Sequence, residues 1–146
     1  MRKILKLITP LLTMLVLLTA CSSEKTKVYT KSEDKMELQV TVYYKGDTVN
    51  KMITVNSLSD VGDDINSEVE SLKKILEKNT NNISGHTYTV EGKDGKIFIT
   101  WETDFTKLDF NKFKSEYSLP ENSLEETRKL STVEKRLADN GIKEKK

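Results

Sequence analysis

Apolar and polar residues alternate through "MELQVTVYYK" (36–45). Met36, Leu38, Val40, Val42 and Tyr44 fall on one side; Glu37, Gln39, Thr41, Tyr43 and Lys45 fall on the other. This period of two predicts a strand with one packed face and one wet face. "KGDT" (45–48) supplies turn residues. "VNKMITV" (49–55) then predicts the return strand, with Ile53 and Val55 directed inward. Over Asp60–Lys78 the period changes: Ile65, Val69, Leu72 and either Ile75 or Leu76 form one helical stripe. Asp60, Asp63 and Asp64 lie where the helix dipole favours negative charge, and Lys73, Lys74 and Lys78 lie toward the other end. "NTNNISG" (79–85) stops this helix.

A second hairpin follows, with "HTYTVEG" (86–92) and "KIFITWETD" (96–104) flanking "GKDG". Tyr88 and Val90 share a face expected to meet Ile97, Ile99 and Trp101. "LDFNKFKSEY" (108–117) predicts a short helix closed before Pro120, and "SLEETRKL" leaves a last strand open. "STVE" (131–134) fits a capping box for a final helix. Val133 and Leu137 are its apolar pair, Asn140-Gly141 is its stop signal, and Ile142 is placed to pack back. The terminal "KEKK" reads as frayed. The order of hairpin, helix, hairpin and helix predicts a two-layer α+β domain. Its antiparallel sheet is built of two hairpins, with Val28-Tyr29-Thr30 as a candidate further strand and helices packed on one face.

The amino terminus follows a different pattern. Arg2, Lys3 and Lys6 precede an uncharged run from Leu7 to Ala20, interrupted by Thr9, Pro10, Thr13 and Thr19. A basic start, a short apolar run and small residues before a cut describe a secretory signal peptide. The run falls short of the ~20 apolar residues needed to span a bilayer, and Pro10 weakens it as a helix. It ends at Leu18-Thr19-Ala20-Cys21, and Cys21 is the chain's only cysteine.

This tetrapeptide resembles the lipobox of bacterial lipoproteins. The resemblance implies diacylglycerol on the Cys21 thiol, with cleavage between Ala20 and Cys21. It further implies dependence on the export, diacylglyceryl transferase and lipoprotein signal peptidase machinery. Two acyl chains, palmitate being the usual label for them, are what stable anchoring requires. The competing readings are an ordinary signal peptide with a chance cysteine and a structural thiol in a cytosolic protein. With no second cysteine, an exported chain has no internal disulfide, and a free thiol outside the cell is a liability. The expected location is the extracytoplasmic face of the cell membrane, in a Gram-positive-like bacterium.

Loss of residues 1–20 changes the charge. Without Arg2, Lys3 and Lys6, the 24 basic residues fall to 21 against 23 acidic ones, and the formal net charge of +1 becomes −2. That balance argues against nucleic acid as a partner. The remaining 126 residues suffice for one domain and are too few for a two-lobed solute-binding protein. The expected organisation is a signal peptide (1–20), a lipidated cysteine and short tether (21–27), and a single domain (28–146).

The mature chain also resembles the YehR-like lipoproteins, a family of small bacterial lipoproteins with a domain of unknown function. The lipobox carries the likeness, together with "VYYKGDTVNKMITVNSL", "NISGHTYTVEGKDGKIFITWETDFTKLD" and the ending "STVEKRLADNGIKEK". The resemblance implies an α+β fold and an envelope location. It brings no activity and no site residue.

Candidate chemistry is sparse. His86 is the only histidine and falls on the Tyr88/Val90 face. A zinc site would need further His or Cys ligands, and there is no GxSxG elbow, phosphate loop or dinucleotide fingerprint. Asp60, Asp63, Asp64 and Glu68 lack calcium-loop spacing and are explained by the helix dipole. Trp101, the only tryptophan, reads as core; its alternative is an aromatic platform with Tyr43, Tyr88 or Phe105. Tyr43 joins Gln39 and Thr41 on the wet strand face, a candidate contact surface. Two function classes follow. One is a non-enzymatic binding module that engages an unidentified envelope partner through Gln39, Thr41 and Tyr43. The other is a small envelope hydrolase using His86. Neither calls for a metal or cofactor.

Overall fold

The computed structural model describes residues 23–79 and 82–146. The expected signal peptide (1–20), with Ala20, and the expected lipidation site Cys21 lie outside the described residues. Strands β1 (Lys25–Glu33), β2 (Met36–Lys45) and β3 (Thr48–Leu58) are followed by helix α1 (Ile65–Asn79). Then come β4 (His86–Lys93), β5 (Lys96–Asp104), α2 (Phe110–Tyr117), α3 (Leu124–Thr127), α4 (Leu130–Asp139) and β6 (Lys143–Glu144). The six strands form one sheet in the order β4-β5-β3-β2-β1-β6, antiparallel throughout. The fold is α+β, as the alternation of periods predicts.

Paired residues in a ladder share a face, so the registers sort the side chains. Tyr29 pairs with Val40, Val40 with Thr54, Thr54 with Trp101 and Trp101 with Tyr88. This face carries both hydrophobic clusters. Over β1–β3, Tyr29, Val40, Val42 and Val49 pack with Ile83, Phe105 and Leu108 and with Val133 and Leu137 of α4. Over β4–β5, Val90, Ile97, Ile99 and Leu58 pack with Ile65, Val69, Leu72 and Leu76 of α1. The α1 stripe therefore runs through Leu76, leaving Ile75 53% exposed. Gly92 lets α1 approach β4 closely, because a Cβ there would sit 3.1 Å from Ile65.

The other face carries Val28, Gln39, Thr41, Tyr43, Ile53, Val55 and Phe98, none of which belongs to either cluster. The inward placement expected for Ile53 and Val55 is thus corrected. The β2–β3 register shifts between Tyr43 and Tyr44, pairing Tyr43 with Lys51 but Tyr44 with Val49 and leaving Asn50 as the extra residue. Such a bulge reverses the parity of the strand beyond it. Val49 points into the core, and Met52 and Thr54 take the inward positions that unbroken alternation assigns to Ile53 and Val55.

Other boundaries differ for local reasons. β1 spans nine residues and begins three residues before the expected domain start. α1 begins at Ile65, not Asp60. Asp60 has φ of +59°, which no helix accommodates, and its carboxylate accepts from Lys35. Asp64 caps the helix instead, accepting from the Ser67 N–H at 3.1 Å. "SLEETRKL" forms a helical turn, not a strand. Its Ser123 Oγ accepts from the Glu126 N–H, and Glu126 accepts from the Asn122 N–H. The capping box expected at Ser131–Glu134 does not form. The Leu130 N–H finds the Asp47 carbonyl at 2.9 Å, while Glu134 turns to Tyr29 and Lys27. The stop at Asn140-Gly141 is a Schellman pair, with Gly141 N–H to Ala138 O and Ile142 N–H to Leu137 O, both 2.9 Å. The chain beyond it is held, not frayed: Lys143 and Glu144 pair with β1, and the Lys145 N–H donates to the Val28 carbonyl.

Candidate functional site

The two faces of the sheet offer different surfaces. On the uncovered face, Gln39 is exposed and Thr41 and Tyr43 are half-buried, all on β2. Lys51, paired with Tyr43 across the ladder, places its ammonium 4.8 Å from the Tyr43 ring centroid. The bulge adds Ile53 and Val55 beside them, and β5 adds Phe98. A shallow groove of about 420 Å³ crosses this face, with Val55, Ser57 and Phe98 in its floor and Thr30, Gln39 and Lys145 around it. The polar row read from β2 is therefore one edge of a mixed surface with an apolar centre. Ile53 and Val55 escape sequence reading because the bulge that turns them outward has no signal beyond Asn50 itself, whereas alternation in "KIFITWETD" already sets Phe98 opposite Ile97 and Ile99.

On the helix-bearing face, a cleft of about 360 Å³ lies in the seam between the two clusters. Met52 and Thr54 of β3 and Trp101 and Thr103 of β5 form its floor; His86 of β4 and Phe113 and Tyr117 of α2 form its wall. The wall is built locally. Asp109 caps α2 by accepting from the Lys112 N–H at 3.2 Å, and spacing i, i+4 puts Phe113 and Tyr117 on one side. That spacing, legible in "FKSEY", marks the two as one helix face, though not as neighbours of His86. His86 is fixed by the Ser84-Gly85 corner. The Gly85 carbonyl accepts from the Asp104 N–H at 2.7 Å, and the Ser84 carbonyl accepts from the Asp109 N–H at 3.0 Å.

His86 is held at both ring nitrogens. Nδ1 lies 2.9 Å from Thr103 Oγ1, and Nε2 lies 2.7 Å from the Tyr117 hydroxyl. Its ring stacks on Trp101 at 5.1 Å and 13°, and meets Phe113 and Tyr117 edge-on at 5.0 and 5.3 Å. Tyr88 tilts against Trp101 at 5.1 Å. Burial lowers the pKa of His86 below its ordinary 6.5, so the ring is neutral at pH 7. Burial also raises the Tyr117 pKa. Trp101 is half-buried in this cluster and is neither sealed core nor a partner of Tyr43 or Phe105. Tyr43 lies across the sheet, and Phe105 is buried. Asp60, Asp63 and Asp64 gather no site, and among the described residues no group of three or more His, Cys, Asp or Glu side chains could hold a metal. Among the same residues, no helix is long and apolar enough to cross a membrane.

Residues 25–143 match the family described as "Protein of unknown function (DUF1307)". The chain belongs to this family. It is 35% identical over 105 residues to the uncharacterized lipoprotein Lmo0207 of Listeria monocytogenes, covering 68% of this chain and 69% of that protein. It is 33% identical over 98 residues to the uncharacterized lipoprotein Lin0239 of Listeria innocua, covering 65% and 64%. Among solved structures, the fold is similar to that of the Escherichia coli YehR protein. The TM-score is 0.68 at 20% identity, over 84% of this chain and 91% of that one. A Streptococcus pneumoniae protein matches with a TM-score of 0.55 at 20% identity, over 84% and 86%. The expected likeness to YehR-like lipoproteins is borne out in sequence family and in fold.

Proposed function

We propose that this protein is a lipid-anchored extracytoplasmic lipoprotein, a non-enzymatic binding module of the cell envelope that engages its partner through the uncovered sheet face. The observation that carries the surface assignment is the bulge at Asn50. It turns Ile53 and Val55 out beside Gln39, Thr41 and Tyr43, giving this face an apolar centre with a polar rim, the usual anatomy of a contact surface. The lipobox and the lipoprotein names of both Listeria relatives support the anchor: diacylglycerol on Cys21, cleavage after Ala20, and residence on the outer leaflet of the membrane. Strand β1 begins at Lys25, four residues after Cys21, so the tether is short and the domain sits close to the bilayer.

Binding is favoured over hydrolysis at His86 because both ring nitrogens already engage hydroxyls, of Thr103 and Tyr117, which leaves neither nitrogen to an orienting carboxylate among the described residues. Two measurements test the proposal. Cys21→Ala should abolish palmitate labelling and leave the precursor unprocessed; a labelled variant would sink the anchor. In a complemented deletion strain, Gln39→Ala/Thr41→Lys/Tyr43→Ala should remove function while His86→Ala retains it. The reverse pattern would move the activity to His86.

A further inference from the structure

We propose that the cleft on the helix-bearing face, across the sheet from the docking surface, is a second site that binds an uncharged sugar ring. The described residues that line it include no Asp, Glu, Lys or Arg. A charged ligand would surrender its hydration there without a partner. Burial keeps His86 itself uncharged at pH 7, in accord with that selection. The volume, about 360 Å³, lies at the lower end of the roughly 300–1,000 Å³ typical of small-ligand sites, which suits a ring and its substituents.

The chemistry of the lining narrows the class further. The wall is aromatic, with His86 touching Trp101, Phe113 and Tyr117, and Phe113 touching Tyr117. Flat aromatic surface matches the C–H face of a sugar. Its polar groups include hydroxyls, Thr54 in the floor and Tyr117, 42% exposed, at the rim, beside the ring nitrogens of His86 and Trp101. Hydroxyls both donate and accept, so they answer ligand hydroxyls, for which a hydrocarbon ligand has no use. The site is also preorganised. The His86 ring cannot turn without breaking its bonds to Thr103 and Tyr117, and a fixed wall reduces the ordering cost of binding.

Trp101 is the chain's only tryptophan, so fluorescence excited selectively at tryptophan, beyond the tyrosine absorption, reports on this cleft. The experiment titrates the full-length chain, purified from its own membrane in a detergent without a sugar headgroup. The probes are glucose, N-acetylglucosamine and their β-1,4-linked trimers, with tetramethylammonium chloride as the cationic ring-cage control. The expected result is a saturable change in Trp101 emission with at least one sugar. Affinity should fall at least tenfold in Tyr117→Ala, fall less in Tyr117→Phe, and stay unchanged in Gln39→Ala on the opposite face. Tyr117→Phe keeps the ring and carries the test if the alanine variant melts early. Three outcomes would overturn the proposal: no saturable change with any of the four sugars, equal affinity in both Tyr117 variants and the parent, or saturation by tetramethylammonium alone.

Discussion

Arg128 reaches back 78 residues to Asn50: its Nη2 donates to Asn50 Oδ1 at 2.7 Å. The same guanidinium donates through Nε to the Val49 carbonyl at 3.0 Å, and the Arg128 carbonyl accepts from the Val49 N–H at 2.8 Å. The Asn50 carbonyl in turn accepts from the Phe105 N–H at 2.9 Å. A bulge leaves backbone groups without ladder partners, and here Arg128 after α3 and Phe105 after β5 supply them. Arg128 thereby stabilises the register that decides which strand residues face the core and which face outward.

Replacing Arg128 with Met should therefore lower stability by about 2 kcal/mol, the scale of half-buried hydrogen bonds to a charged donor whose acceptors are left unpaired. The urea midpoint should fall with an unchanged m-value. Arg128→Lys should restore only part of the loss, because an ammonium cannot span both acceptors as the guanidinium fork does. A midpoint equal to the parent's in both variants would mean that the bulge is held by other contacts.

Gly85 sets the position of His86. Its φ is +77°, and a Cβ would lie 2.7 Å from the Leu108 N and 2.8 Å from the Asp104 carbonyl oxygen, both backbone atoms. Gly95 has a similar φ of +73° but open space around it. Gly95→Ala should cost about 1–2 kcal/mol, the strain of a left-handed residue alone. Gly85→Ala should cost more than about 3 kcal/mol, since backbone must also move. Urea melts of the two variants compare them directly; equal losses would remove the packing argument.

Much of this architecture was legible in the sequence, and the failures share a cause. Alternation in β2 identified the packed residues Val40 and Val42, and helical spacing identified Val69, Val133 and Leu137, because each belongs to a regular element with one buried side. Ile53 and Val55 were misassigned because one unpaired residue, Asn50, reverses the parity. The start of α1 was misplaced because Asp60 and Asp64 look alike in sequence, while only Asp64 has the geometry to cap. In the candidate site, His86 was placed on its correct face by parity. Its neighbours Phe113 and Tyr117 come from a helix 27 residues or more downstream, and only the tertiary fold brings them there.

His86 gives stability a pH dependence with a definite sign. Burial depresses its pKa below the ordinary 6.5, so the unfolded chain binds more protons than the folded chain as pH falls below that value. This contribution is complete above about 6.5 and is lost as pH falls through the folded pKa. Asp104 and Glu134 titrate lower. Thr106 hydrogen bonding holds the first below 3.8, and Lys27 hydrogen bonding holds the second below 4.5. Their contributions disappear only in more acidic solution. The single histidine Cε1 NMR resonance should titrate with a midpoint below 6.5. Between pH 7 and 5.5, the fall in urea stability should shrink in His86→Gln. A midpoint at or above 6.5 would contradict the buried, neutral ring.

The reversed parity of β3 can be tested by adding hydroxyls on both faces. Val42, on β2, is fully buried (0% exposed) among Val40, Val49 and α4. Val55, on β3, pairs with Gln39 and Thr100 on the uncovered face. Val→Thr keeps the shape of the side chain and adds one polar group. At Val42 that group enters apolar surroundings, which should cost about 1–3 kcal/mol. At Val55 it joins a surface already bearing Gln39, Thr41 and Thr100, and the change should stay within about 0.5 kcal/mol. Had β3 kept unbroken alternation from Val49, Val55 would be a core residue and both variants would lose comparable stability. Denaturation of Val42→Thr and Val55→Thr thus decides between the two registers, and with them whether Ile53 and Val55 are available to a partner at all.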